Sequence, residues 1–519
     1  MRPVVLLMVT LAGGGVAFAQ SPAAAPAADP AAQAYFEFLL ARRLSGQGDS
    51  AGALEALKRA HALDPQSAEI LAETAALHAR QNRPTEAVAT AERALNIDPK
   101  NHEANRMLGL MFAAWSDGGV PPPAGRTQAE LRTAAIDHLT RIADTPAVAT
   151  DLNLQLTLAR LQMRAGQADR AIPILENIVS QAPFATEPYT LLAEARLSVG
   201  RVDGAIQALE MAAELNPRHY VTLGELYERQ GRWSAAAGAY EQAVTNIRSA
   251  GRDVRLRWAT ALLNIGDGKG AARARDVLKE YLVTSPQDAR GLFLLSSANL
   301  QMRDFAAAEE VARKLLALDP ASLAGLRALS AALAGRGDHR GVVDLLSPFS
   351  KNVNGRGKGS ESEAALLLAQ LGHSYTELGQ HDQAIASLTA AVASDPMSGP
   401  ALNSLGYTLA ERGERLDEAV SFIERALKVE PDNPSYLDSL GWALFKQGRA
   451  EDAEPHLRRA SDALPSQSVI QDHLGDVLVR RGKFSEAIGA WERALAGDGT
   501  DIDRTAIQKK IKDAKGRQQ

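Results

Sequence analysis

A Leu-Gly pair returns through the last third of the chain at an almost constant interval, and that interval constrains the fold more than any other feature. The pair stands at Leu371-Gly372, Leu405-Gly406, Leu440-Gly441 and Leu474-Gly475, with spacings of 34, 35 and 34 residues. Each pair is followed by an alanine, at Ala384, Ala419, Ala453 and Ala487. Four residues later come Leu388, Ile423, Leu457 and Trp491, and three beyond those Ala391, Ala426, Ala460 and Ala494. Pro396, Pro431 and Pro465 close three of the four units. A period of this length belongs to arrays in which one supersecondary unit is copied and each copy buries its apolar face against its neighbours.

The same frame runs back through the chain in weaker letters. Pro65 and Pro99 are one period apart, as are Pro183 and Pro217, and Pro286 and Pro320. Ala53, Ala87, Ala171, Ala205 and Ala308 take the first alanine position. The frame gives about thirteen units, starting near residues 34, 68, 102, 152, 186, 217, 252, 289, 323, 365, 399, 434 and 468. Within a unit the apolar residues fall at i, i+3, i+4 and i+7, which predicts two amphipathic helices. Leu437, Leu440 and Leu444 form the stripe of one helix, and Ala453, Leu457 and Ala460 that of the next. Gly441 leaves room for a neighbouring helix, Gly448 supplies the left-handed C-cap, and Pro465 stops the second helix. The expected fold is all-α, a solenoid of helix–turn–helix units.

The divisions follow from breaks in this pattern. Residues 34–350 form an N-terminal array with an insertion at 116–130 (SDGGVPPPAGRTQAE), and 351–363 (KNVNGRGKGSESE) is a Gly-rich loop. Residues 364–501 form a regular C-terminal array, followed by a capping helix and tail at 502–519. Ile507, Ile511 and Ala514 are expected to dock on the last hairpin while the five Lys and Arg of that segment face water. At the other end, residues 1–19 combine Arg2, the apolar run Val4–Ala12 and an Ala17-Phe18-Ala19 motif, the pattern of an export signal cleaved after Ala19. Residues 20–33 are an Ala/Pro-rich linker. The expected location is therefore periplasmic or secreted.

Composition removes several classes of chemistry. There is no cysteine, which excludes disulfides, thiolate nucleophiles and a lipidated N-terminal cysteine. A formal charge of −5 argues against a protein built to neutralise phosphates, so nucleic acid is not an expected partner. His102-Glu103 has Arg106 where a zinc protease motif needs a second histidine. The glycine clusters at 266–270 and 355–360 lack the P-loop spacing. No cofactor, metal or catalytic constellation is expected. An enzyme remains open only through polar groups converging in a pocket made by the 116–130 insertion.

The period and its letters resemble the tetratricopeptide repeat (TPR), W-x2-L-G-x2-Y … A-x3-F … A … P over 34 residues. The resemblance covers about residues 34–501 and implies helical hairpins stacked in a right-handed superhelix, with a groove lined by the first helix of each hairpin. It places His373, Asn403, Tyr407, Asp438, Trp442, Phe445, Asp472 and Asp476 on that groove. These residues read either as a cradle for a protein or peptide segment or, for Tyr407, Trp442 and Phe445, as filling between first helices. The family's carboxylate clamp uses Lys, Arg and Asn, where this chain has Asp438, Asp472 and Asp476, so a neutral or basic segment is expected instead. On this reading Trp442→Ala weakens partner capture and leaves the array folded.

Residues 399–495 are similar to C-terminal repeats of bacterial envelope TPR proteins, some of which partner a C-terminal-processing protease. The resemblance implies a non-catalytic exported adaptor, with an envelope protease or its substrates among the partners. The alternative is a structural part of an envelope transport or assembly machine, in polysaccharide export or outer-membrane biogenesis.

Overall fold

The computed structural model describes residues 29–118, 125–247, 251–351, 360–499 and 502–517. The export signal at 1–19, most of the 20–33 linker and parts of the 116–130 and 351–363 segments lie outside the described residues. The described residues form 28 helices and no strand. The chain divides into two compact units, ending at His219 and starting at Tyr220.

The first unit pairs α1 (Pro30–Gly46) with α2 (Ser50–Leu63), α3 (Ala68–Arg80) with α4 (Pro84–Ile97), and α5 (His102–Ser116) with α6 (Gln128–Ile142). A single turn, α7 (Pro146–Ala149), precedes α8 (Leu152–Arg164) and α9 (Ala168–Gln181), then α10 (Thr186–Ser198) and α11 (Val202–Leu215). The second begins with α12 (His219–Arg229) and α13 (Trp233–Asn246), α14 (Arg252–Asn264) and α15 (Gly268–Thr284), and α16 (Ala289–Gln301) and α17 (Phe305–Leu318). It continues with α18 (Leu323–Gly335) and α19 (His339–Lys351), α20 (Glu361–Glu377) and α21 (His381–Ser394), and α22 (Gly399–Arg412) and α23 (Leu416–Val429). It ends with α24 (Pro434–Lys446) and α25 (Ala450–Ala463), α26 (Ser468–Arg480) and α27 (Phe484–Ala496), and the lone α28 (Arg504–Arg517). Thirteen hairpins result, an all-α solenoid architecture in which each hairpin packs on the next within its unit.

Side-chain size sets the hairpin geometry. A Cβ placed on Gly441 would lie 2.5 Å from Leu457 Cγ and 3.1 Å from the Ala453 carbonyl, so only glycine lets α24 and α25 approach this closely. Gly406 and Gly372 meet Ile423 and Leu388 in the same way. Gly448 sits at φ +83°, and its N–H and that of Arg449 bond back to the Phe445 and Leu444 carbonyls, which ends α24 as expected. Asn433 caps the start of α24 by accepting from Ser435 and Tyr436 N–H, with Pro434 at the first helical position, where its missing donor costs nothing.

In the second unit α20, α22, α24 and α26 touch in succession, and each second helix packs between its own first helix and the next. One continuous apolar core runs from Ala312 to Ala514. Ile507 and Ala514 of α28 are buried in it and Ile511 packs beside it. Two boundaries differ from the sequence reading. Helix α1 starts at Pro30, inside the expected linker, because the Asp29 carboxylate accepts from Ala31 N–H and caps it. Helix α6 starts at Gln128, inside the expected insertion, because Thr127 and Glu130 form a reciprocal capping box.

Candidate functional site

The row α20, α22, α24, α26 carries all eight residues placed on the groove by the sequence, but it does not treat them alike. His373, Asn403, Tyr407 and Asp438 line an open cavity of about 450 Å³, joined by Glu377 and Glu411. Phe445 and Asp476 line a second cavity of about 520 Å³, farther along, with Trp491 and Lys510. Trp442 and Asp472 line neither.

Trp442 is only 9% exposed. Its ring stacks on His473 at 4.0 Å and 14°, and on Phe445 at 5.3 Å and 26°. Its indole N–H donates to the Glu411 carboxylate on α22, and Lys446 Nζ lies 4.8 Å from its ring centroid. The indole therefore ties three successive first helices together. Trp442 thus fills space between first helices, and replacing this buried stacked indole by alanine leaves a cavity that costs stability.

Asp438 is equally engaged. Its two oxygens lie 3.0 and 3.2 Å from Nδ1 of His473, and both residues are 6% exposed. Burial alone would lower the His473 pKa, but the Asp438 carboxylate, with Asp472 and Glu411 behind it, outweighs burial and raises it above the ordinary histidine value. The pair joins α24 to α26 as a buried, charge-assisted bond. His473 was not among the groove residues read from the sequence. The available signal was its position one repeat from Asp438, 35 residues away.

Asp472 and Asp476 do not wait for a partner's charge. Both accept from Lys510 Nζ of α28, at 2.8 Å and 2.7 Å. Burial opposes the charged amine, but the two carboxylates prevail and raise the Lys510 pKa. Burial raises Asp476 in turn, although Lys510 pulls the other way. Lys510, expected to face water, is instead the counter-ion of the last hairpin. The three aspartates thus no longer support the expected preference for basic segments on their own.

What stays open is the first cavity. Asn403 Oδ1 is buried there with no hydrogen-bond partner among the described residues. Tyr407 is half-buried beside it, and Glu377, Glu411 and His373 are exposed around it. An unpaired acceptor next to an aromatic ring and carboxylates suits the N–H groups and side chains of an extended chain. Among the described residues no three His, Asp or Glu come together as a metal site, and no helix is long and apolar enough to cross a membrane.

Among solved structures the chain is similar to the APC/C hetero-tetramer Cut9-Hcn1, with 12% identity and a TM-score of 0.43 over 94% of this chain and 98% of that one. It is similar to Naa15/Naa10 bound to HypK, with 17% identity and a TM-score of 0.41 over 93% and 73%. A tetratricopeptide repeat protein from Parabacteroides merdae aligns at 15% identity with a TM-score of 0.39 over 50% and 98%. No curated protein matches the chain. Family models described as tetratricopeptide repeat match residues 44–110 and 162–223, 220–254, and 256–322, 369–434 and 412–468. Those matches together span well over half of the sequence, and the chain belongs to the tetratricopeptide repeat family.

Proposed function

We propose that this protein is a non-catalytic scaffold that holds a segment of a partner protein in the cavity lined by His373, Asn403, Tyr407 and Asp438. Asn403 carries the reading, since its buried carbonyl oxygen has no partner among the described residues. A buried acceptor without a bond costs about 1–3 kcal/mol, a cost that a partner's N–H removes. Tyr407 supplies contact area with few rotors to freeze. The exported location follows from the Arg2, Val4–Ala12 and Ala17–Ala19 pattern, and an envelope protease or its substrates are partners of the right kind.

One observation favours the second reading, a part in an envelope transport or assembly machine. At the start of the first unit Tyr35, Phe36 and Leu39 are 63%, 64% and 45% exposed on α1. Terminal repeats of a solenoid normally present a polar outer face, so an apolar one suits a neighbouring subunit.

Capture from an envelope extract separates these readings. Proteins retained by the wild type and lost with Asn403→Ala/Tyr407→Ala are groove partners. Retention of the same set by both, with loss on Tyr35→Ser/Phe36→Ser, rejects the groove in favour of the assembly reading. Recovery of the chain from the cytoplasm with residues 1–19 still attached rejects export.

A further inference from the structure

The far end of the row of first helices is already occupied, and its occupant fits poorly. Helix α28 inserts Lys510 between Asp472 and Asp476, at 2.8 and 2.7 Å, with the amine 5.8 Å from the Trp491 ring centroid. The two carboxylates stand on the α26 face that corresponds, one repeat back, to Asp438 and Trp442 of α24. Beyond this grip α28 buries Ile507 and Ala514, packs Ile511 beside the core, donates from Arg504 to the Leu495 carbonyl and pairs Lys515 with Glu492. Arg504, Gln508, Lys509, Lys512, Asp513 and Lys515 are exposed.

Beside the lysine the contact is unfilled. An open cavity of about 520 Å³ lies between α28 and the last hairpins, with Phe445, Val479 and Trp491 as its apolar wall, Asp513 and Ala514 on the α28 side, and Arg480 and Arg517 also lining it. A cap evolved only to shield the last hairpin would place an apolar side chain here. Asp513 projects from α28 at this place instead.

We infer that α28 is a displaceable internal ligand. The Asp472/Asp476 pair with the adjoining cavity is then a docking site for a partner segment that combines one lysine with one bulky apolar side chain. The lysine replaces Lys510, and the apolar side chain enters the space against Phe445, Val479 and Trp491 that α28 leaves empty. The partner gains the same charge-assisted bonds and additional apolar burial, which is how it displaces a tethered competitor. A competing helix lowers the apparent affinity in proportion to the fraction of molecules in which it is displaced. This inference rests on the scaffold reading but uses residues separate from the Asn403 cavity.

The test uses the full chain and fluorescent peptides of residues 502–517, native and carrying Asp513→Leu, with binding read by anisotropy. Lys510→Gln in the chain weakens the internal grip and is expected to bind either peptide roughly tenfold more tightly than the wild type does. The Asp513→Leu peptide is expected to bind roughly tenfold more tightly than the native one, because it fills the cavity. Asp472→Asn/Asp476→Asn should lose both, and circular dichroism of each variant reports that the array remains folded. Equal affinity of wild type and Lys510→Gln, or binding indifferent to the aspartate pair, overturns the inference. So does a dimer formed by exchange of α28, detected by sedimentation, since the site then serves a second copy. Asn403→Ala/Tyr407→Ala should leave peptide binding unchanged, so failure here is distinguishable from failure of the scaffold reading.

Discussion

Two histidines, one in each unit and each meeting a polar side chain of another helix, have pKa values shifted in opposite directions. In the first unit His138 of α6 meets Asn105 of α5, with Nδ1 3.0 Å from the amide oxygen. The Asn105 amide nitrogen donates to the Pro99 and Asn101 carbonyls, so its oxygen is left to accept and His138 must carry its hydrogen on Nδ1. Burial, helped by Arg141, lowers the pKa of this imidazole. In the second unit His473 faces Asp438 and its pKa is raised. Both rings lie near aromatics, His138 5.7 Å from Phe112 and His473 4.0 Å from Trp442. Burial pushes both imidazoles down, and what separates them is that Asp438, with Asp472 and Glu411, outweighs burial at His473 while no carboxylate does so at His138.

The severest way to break the comparison is to remove what holds the second ring in place. Trp442→Ala takes away an indole packed against His473 and Phe445 and bonded to Glu411. A loss of about 3–5 kcal/mol is expected in the second unit. Urea titration followed by circular dichroism measures it, with Trp442→Phe recovering most of the loss. A midpoint unchanged by the alanine variant would show that the stack is incidental.

Asp438→Asn makes the second site like the first. The His473 pKa should fall below the ordinary value of about 6.5, as burial lowers that of His138. The sign of the pH effect follows from the raised native pKa. The stability contributed by the charged pair is fully present below about pH 6.5 and is lost as pH rises through the higher native value. The variant should therefore cost about 1.5–3 kcal/mol at acid pH and progressively less at alkaline pH. Urea midpoints of both proteins from pH 5 to 9 test this, and a constant difference across that range would refute a charged His473.

The reverse exchange, Asn105→Asp, should raise the His138 pKa, read by NMR titration of the ring protons. It should still destabilise the first unit by about 1–3 kcal/mol, because the donors to the Pro99 and Asn101 carbonyls are lost. If the ring titrates as before, the charge of the partner is not the deciding factor.

These pairs also show which part of the molecule was legible in the sequence. The hairpins were, because each is specified locally by stripes such as Leu437, Leu440 and Leu444, by the close-approach Gly441 and by the stop at Gly448. The helix ends at Pro30 and Gln128 were less so, since single side chains, Asp29 and Thr127, move them by a few residues. The groove was legible as a helix face but not as a set of free residues. Whether Asp438, Asp472 and Asp476 are available depends on partners 34–38 residues away, about one repeat along the chain, at His473 and Lys510. A comparison of each groove position with the next repeat exposes those pairs. Which side chain reaches which is settled only by the packing. Asn403, whose oxygen is unpaired among the described residues, and the exposed His373 lie on the same cavity, where the face read from the sequence is not covered by such a pair.

The smallest expected effect discriminates most finely between the two histidines. Lys446 Nζ lies 4.8 Å from the Trp442 ring centroid, and His473 stacks on the same ring. An indole face attracts cations through its quadrupole, and an exposed contact of this kind contributes about 0.5–1 kcal/mol. If His473 is an imidazolium, two cations share one ring and repel each other across it. Lys446→Gln then costs little at acid pH, where the lost attraction is offset by relieved repulsion. It costs its full amount at alkaline pH, where His473 is neutral. The same substitution should shift the His473 titration upward, because a neighbouring positive charge has been removed. Urea midpoints at two pH values and the NMR titration give independent readouts. A cost identical at both pH values, with an unmoved titration, would mean that His473 is neutral throughout and that the second site differs from the first in geometry alone.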